Sequence, residues 1–223
     1  MAHIETYVQP RRLYRYRSLA NLQREMDAIQ KSYLFCSTYR KLNDPMEGLF
    51  TSSRLFRKSE KYRTVRNAIR DNKAHIGVCS FSEVYDHELM WAHYANQFTG
   101  ICISYSFSRL LRNLADEITF VRMYYNETVP TVHRTSKDTD ELARMVLSYK
   151  NYRWLYEREW RMFADQGKVH YKDVECVTRV YLGSRISDVD KTQVTKALNR
   201  LRIPTSEMTI DKYFLNFEER DSD

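Results

Sequence analysis

The segment Tyr156-Glu157-Arg158-Glu159-Trp160-Arg161 constrains the fold more than any other, because two carboxylates and a guanidinium recur at alternate positions among large aromatics. In a strand, successive side chains point to opposite faces, so Glu157, Glu159 and Arg161 share one face while Arg158, Trp160 and Met162 occupy the other. Trp160, Met162 and the neighbouring Trp154 then anchor the core, and the acids line a cavity. The same spacing also fits a helix, with Glu157 and Arg161 as an i,i+4 surface pair worth only about 0.3–0.5 kcal/mol.

The chain has 223 residues, enough for one substantial core, and its five Gly and four Pro are too sparse to mark a linker. The expectation is therefore a single domain over 1–223. Leu13 to Arg17 alternates as a strand, after which Ser18 can cap a helix carrying Leu22, Met26 and Ile29. Tyr33 to Thr38 reads as a second strand, closed by an Asn43-Asp44-Pro45 turn. A helix from Ser59 turns Tyr62, Val65 and Ile69 inward, and Ile76 to Phe81 reads as a buried strand. Asp86 can cap a short helix bearing Leu89, Met90, Trp91, His93 and Tyr94.

Strands follow at Gly100 to Phe107 and Ile118 to Tyr125, with a short helix from Ser108 between them. Residues 131–140 are the most polar stretch and read as a mobile loop. A helix from Asp140 to Tyr149 then leads into the acidic segment. The strand Val177 to Gly183, a helix from Ser187 with Val189, Val194, Leu198 and Leu201, and a last strand Met208 to Leu215 complete the chain, with 218–223 a frayed tail. This order, without a βαβ repeat or a Gly-rich fingerprint, predicts an α+β fold of mixed and antiparallel sheet with short helices.

Charged residues make up 29% and aromatics 13%, which excludes disorder. The net charge of +7, with 17 Tyr, suits a polyanionic partner, nucleic acid above all, whose bases tyrosines can stack on. Cys36, Cys79, Cys102 and Cys176 are widely spaced, so neither a zinc site nor a disulfide framework is expected. Arg11, Arg12, Arg15 and Arg17 near the start are not followed by an apolar stretch, and no run of about 18 apolar residues occurs, so a cytoplasmic protein without a membrane span is expected.

Taken together, Leu13-Tyr14-Arg15-Tyr16-Arg17-Ser18-Leu19, Leu42-Asn43-Asp44-Pro45-Met46-Glu47-Gly48, Cys79-Ser80-Phe81-Ser82, Met90-Trp91-Ala92-His93-Tyr94-Ala95, Gly100-Ile101-Cys102-Ile103 and Trp154 to Arg161 resemble the bacterial domain of unknown function 2971 family over nearly the whole chain. A basic first strand with Arg15, then Phe35-Cys36-Ser37-Thr38, then a Glu-x-Glu strand also resemble the order of elements in ADP-ribosyltransferases. Tyr39 stands where that pattern has a second serine, and Arg12 and Arg17 compete with Arg15 for the first-strand role.

The second resemblance implies an ADP-ribosyltransferase-like fold and an NAD-consuming toxin or phage-defence enzyme acting on nucleic acid or protein, with an antitoxin or partner protein as a further partner. Breaking the nicotinamide–ribose bond develops positive charge on the ribose, which a carboxylate stabilises. Glu159 takes that role, Glu157 that of general base, and Arg15 holds a phosphate or the ribose. Tyr14, Arg15, Ser37, Asn43, Asp44, Trp91, His93, Tyr94 and Arg161 then surround NAD, and no metal is required. Two other readings stay open. The first is a metal-dependent nuclease with Asp44, Glu47, Glu157 and Glu159 on Mg²⁺. The other is a non-catalytic module whose Tyr/Arg surface binds nucleic acid or a partner protein. Bland readings exist for single residues as well: Asn43 and Asp44 as a simple turn, and Trp91, His93 and Tyr94 as packing groups.

Overall fold

A computed structural model of the chain describes residues 3–4, 9–133 and 138–219. One mixed sheet of eleven strands dominates it. Its main path runs from His3–Ile4 through Thr119–Arg122, Glu159–Ala164, Gly77–Ser82, Arg12–Arg17, Ile101–Ser106, Val177–Leu182 and Thr205–Asp211 to Phe214–Glu219. Pairing is parallel between His3–Ile4 and Thr119–Arg122 and between Val177–Leu182 and Thr205–Asp211; the other path pairs are antiparallel.

Helices cover both faces. Leu22–Gln30, Phe107–Asn113 and Asp188–Arg200 bury Met26, Ile29, Leu110, Val194 and Leu198 against Leu13, Phe81, Ile103, Phe120, Trp160 and Met162. Tyr62–His75 and Thr139–Leu147 pack Ile69, Leu142 and Val146 on Val78, Val121 and Phe163 of the opposite face. On that same face a third cluster, with Tyr14, Tyr16, Trp91 and Tyr181, lies beneath the helix Glu88–Tyr94. Alternation along each strand sorts the residues between these layers.

The strand Gly77–Ser82 forks the sheet. One edge pairs in full with Glu159–Ala164. The other pairs with Arg12–Arg17 only at Tyr14↔Ser82 and with Tyr33–Thr38 only at Ser37↔Val78 and Thr38↔Gly77. The two partner strands diverge from the ends of this edge, and a cleft opens where pairing between Cys79 and Phe81 is missing. Residues directly opposite in a ladder share a face. Glu159 and Arg161, opposite Ser82 and Ser80, therefore lie on one face of the sheet. Arg15, one residue from Tyr14, lies on the other with Phe81. The fork lets one cavity reach both.

Several local expectations change. Asn21, whose side chain accepts from the Arg24 amide, caps the first helix in place of the expected Ser18, and His87 caps the helix assigned to Asp86. The stretch Ile118 to Tyr125 breaks into Thr119–Arg122 and Tyr124–Asn126, the latter pairing with Tyr149–Asn151. Val189 is exposed. The final strand is a hairpin, Thr205–Asp211 and Phe214–Glu219, turned through Lys212 at φ 55. Within the stretch read as a mobile loop, Thr131–Val132 pairs with Thr51–Ser52, while 134–137 lie outside the described residues, as do 220–223 of the tail.

Candidate functional site

The acidic segment is only partly a strand. Tyr152–Glu157 forms a 3-10 helix, Arg158 adopts a left-handed conformation (φ 44, ψ 48), and the strand begins at Glu159. Glu157 thus stands outside the expected ladder, yet both acids still meet, because Arg158 reverses the chain between them. Trp160 and Met162 are fully buried as expected, whereas Trp154 is only half-buried, its ring 5.1 Å from the Lys150 ammonium.

Five charged side chains, none more than 6% exposed, make up the acid end of the cleft: Glu47, Glu157, Glu159, Lys150 and Arg161. The Arg161 Nε donates to Glu159 Oε1 at 2.8 Å, Nη1 to Glu47 Oε2 at 2.8 Å and to the Leu147 carbonyl at 2.7 Å, and Nη2 to Glu47 Oε1 at 2.5 Å and Glu159 Oε2 at 3.2 Å. Every guanidinium donor is engaged. The Lys150 ammonium donates to Glu157 Oε2 and, at 3.0 Å, to Glu159 Oε2. Tyr94 closes the group, its hydroxyl 2.5 Å from Glu157 Oε1.

The two acids of the motif diverge in acidity. Burial pushes Glu157 up to about 7, reinforced by the neighbouring Glu159 carboxylate against the pull of Lys150. Glu159 is buried too, but Arg161 and Lys150 outweigh that and hold it well below the usual carboxylate range. With Glu157 protonated, three acids and two cations sum to zero charge; ionised, they carry one negative charge. A pair of carboxyls driven apart in this way is the arrangement proton-transfer sites use.

The cleft, about 930 Å³, continues to a basic end lined by Arg15, Arg17, Arg24, Lys41 and Lys168. Glu25 binds Arg17 at 2.7 Å and Arg24 at 2.8 Å, and so accounts for two of these cations. Lys168 lies over the Tyr33 ring at 4.6 Å. Arg15, half-buried with its guanidinium 5.5 Å from the Phe81 ring centre, has no hydrogen bond or ion pair among the described residues. A cation in that position favours an anion arriving from outside.

Of the residues picked out from sequence, Tyr14, Arg15, Ser37, Asn43, Tyr94, Glu157, Glu159 and Arg161 line this one cavity. Three others do not. Asp44 is a buried turn residue, accepting from the Met46 amide at 2.9 Å, and its carbonyl accepts from the Glu47 amide; it holds Glu47 in place and reaches no ligand. Trp91 is fully buried, donating to the Tyr85 carbonyl at 2.7 Å. His93 is exposed beside the Tyr94 and Tyr156 rings. Arg161 lines the cleft but has no donor left for a cofactor.

Lys150, which bridges all three acids, is a residue that sequence reasoning misses. A single lysine seven and nine positions upstream of two acids has no signature in sequence.

Fold and cleft together describe a mixed α/β protein, dominated by one sheet whose fork frames a cavity with a self-paired acid end and a basic end. Residues 90–162 match the family model described as Protein of unknown function (DUF2971), so the resemblance expected over nearly the whole chain is supported over that stretch. The matched stretch contains Tyr94, Lys150, Glu157, Glu159 and Arg161. No curated protein and no solved structure matches the chain. Among the described residues no helix is long and apolar enough to cross a membrane.

Proposed function

We propose that the forked cleft is the active site of an NAD-consuming, ADP-ribosyltransferase-like enzyme whose acceptor is nucleic acid. The observation that carries this reading is the presence, in one cavity, of a carboxyl displaced toward neutrality, a second carboxylate locked in its charged form, and an arginine that no carboxylate contacts among the described residues, Glu25 acting on it only at longer range. The cavity lies within the size range of small-molecule sites, roughly 300–1,000 Å³.

When bound there, NAD supplies a ribose that becomes positively charged as nicotinamide departs. Arg15 pairs with the diphosphate, its fork matching two phosphate oxygens. Glu157 accepts the proton of the attacking nucleophile, with Tyr94 and Lys150 fixing its two oxygens in place. Glu159, clamped by Arg161 and Lys150, serves through its fixed negative charge, which the low local dielectric strengthens. This divides the work as the motif suggests, with Glu157 now the titrating member.

The Mg²⁺ alternative fits the donor set poorly. The oxygens of Glu47 and Glu159 already accept from Arg161 and those of Glu157 from Lys150 and Tyr94, so a cation must displace charged donors to enter.

Nicotinamide release from NAD by the full chain tests the proposal. Glu157→Gln is expected to lower turnover by about 10²- to 10⁴-fold, the usual contribution of a positioned proton acceptor, with the melting temperature preserved. Undiminished turnover in that variant removes Glu157 from the chemistry, and absence of release by the unmodified chain rejects the NAD reading.

A further inference from the structure

A second cavity, a groove of about 640 Å³, adjoins the cleft and is lined by Pro10, Arg11, Arg12, Tyr14, Glu83, Arg122 and Arg158. Four guanidiniums therefore surround one carboxylate. Glu83 binds Arg122 at 3.0 Å and Arg158 at 2.8 Å, while its Oε1 also accepts from the Trp160 indole at 2.8 Å. Because Trp160 is fully buried, Glu83 is fixed, and the two arginine heads with it. Arg11 and Arg12 are exposed and have no carboxylate partner among the described residues. The groove thus keeps an excess of about three positive charges, with two of its four guanidiniums held in place by Glu83.

Its position ties it to the acid pair. Arg158 is the residue between Glu157 and Glu159, about 3.8 Å from each along the Cα trace, and its left-handed backbone sends its side chain to Glu83 and away from the acids. Tyr14 lines both cavities, and its ladder partner Ser82 donates to the Glu157 carbonyl at 2.7 Å. The groove thus abuts the residue that separates the two acids, and shares Tyr14 with the cleft.

We propose that this groove binds the sugar–phosphate backbone of single-stranded nucleic acid and presents it to the acid pair. The exposed guanidiniums of Arg11 and Arg12, beside two more that share the single carboxylate of Glu83, suit repeated phosphates, and the net charge of +7 supports the approach of a polyanion. The destination of the strand rests on the reading of the cleft given above; the binding itself does not.

Fluorescence anisotropy with a labelled oligothymidylate and the full chain, over a salt series, tests it. The unmodified chain is expected to bind with an affinity that falls steeply with salt. Arg11→Gln/Arg12→Gln should weaken binding at least tenfold and reduce the salt slope by roughly 1.4, about 0.7 for each phosphate left unneutralised. Glu83→Gln, which keeps an acceptor for Trp160 while releasing two arginines, should tighten binding. Arg200→Gln, exposed at the end of the helix Asp188–Arg200, should leave it unchanged. No binding by the unmodified chain, equal weakening by Arg200→Gln, weakening by Glu83→Gln, or polyglutamate competing as well as unlabelled oligonucleotide overturns the proposal. Since no turnover is measured, failure here leaves the NAD chemistry of the cleft standing though not its nucleic-acid acceptor, and loss of nicotinamide release leaves the groove standing.

Discussion

At the acid end of the cleft three carboxylates and two cations neutralise one another to within a single proton, whereas at the basic end Arg15 faces the cavity with no carboxylate in contact among the described residues, Glu25 acting on it only at longer range. The first arrangement contributes to folding and function at once, since removing any member except the protonated Glu157 leaves a buried charge uncompensated in a low dielectric. The second contributes little to folding and waits for a ligand. Charges in one cavity are thus told apart by their partners: Glu47, Glu159 and Arg161, locked together, position; Arg15 is left to bind, and Glu157 is the one paired acid whose proton is exchangeable near neutrality.

The strongest response belongs to the saturated end. Arg161→Leu leaves Glu47 and Glu159 with only Lys150 between them, one buried negative charge in excess, and should cost about 3–5 kcal/mol, read from urea denaturation. A cost under about 1 kcal/mol, the range of exposed pairs, would erase the contrast.

The pH dependence of stability refines it. Glu157 has its folded value raised from 4.5 to about 7, so the native state holds a proton that the unfolded chain has released; the stability this group adds is complete below 4.5 and disappears as pH rises through 7. Glu159, lowered, behaves oppositely: its contribution is present above 4.5 and is lost only as the solution becomes more acidic. Glu157→Gln should therefore flatten the decline in urea midpoint between pH 4.5 and 7 without altering the acid limb. An identical profile in that variant refutes the assignment.

At the unsaturated end, Arg15→Gln should weaken ADP-ribose binding by about 1.5–3 kcal/mol, the value of a hydrogen bond to a charged group, while the melting temperature stays level or rises. A destabilised variant that binds normally reverses the roles of the two ends. The weakest response comes from neither end: Glu175→Gln, which removes an exposed 2.8 Å pair with Arg109, should shift stability by under about 1 kcal/mol in the same denaturation assay.

Much of this was legible in the residues because it depends on local alternation. Trp160 and Met162 turn to the core, and Glu159 and Arg161 to the cleft, as a period of two requires. What depends on backbone reversal was not. Arg158 and Lys212 occupy the left-handed region with ordinary side chains, so neither the turn that detaches Glu157 from the strand nor the one that folds the C-terminal hairpin carries the Gly or Asn that signals such a bend. Nor could the fork be read, since it arises from two strands, Arg12–Arg17 and Tyr33–Thr38, meeting opposite ends of one edge of Gly77–Ser82 while Glu159–Ala164, far away in sequence, covers the other edge. On the helix Glu88–Tyr94 the aromatic spacing was plain, but which of Trp91, His93 and Tyr94 faces the cleft depends on how that helix sits on the sheet.

The asymmetry between the two acids underlies every role assigned to the cleft, and a carbon-13 NMR titration of the glutamate side-chain carboxyls, assigned by the disappearance of one resonance in Glu157→Gln, reads it out residue by residue. The Glu157 carboxyl should titrate near pH 7 while that of Glu159 remains ionised throughout the accessible acid range. A Glu157 midpoint near the ordinary 4.5 is incompatible with those roles and leaves the acid end a structural fastening with no proton to exchange near neutrality.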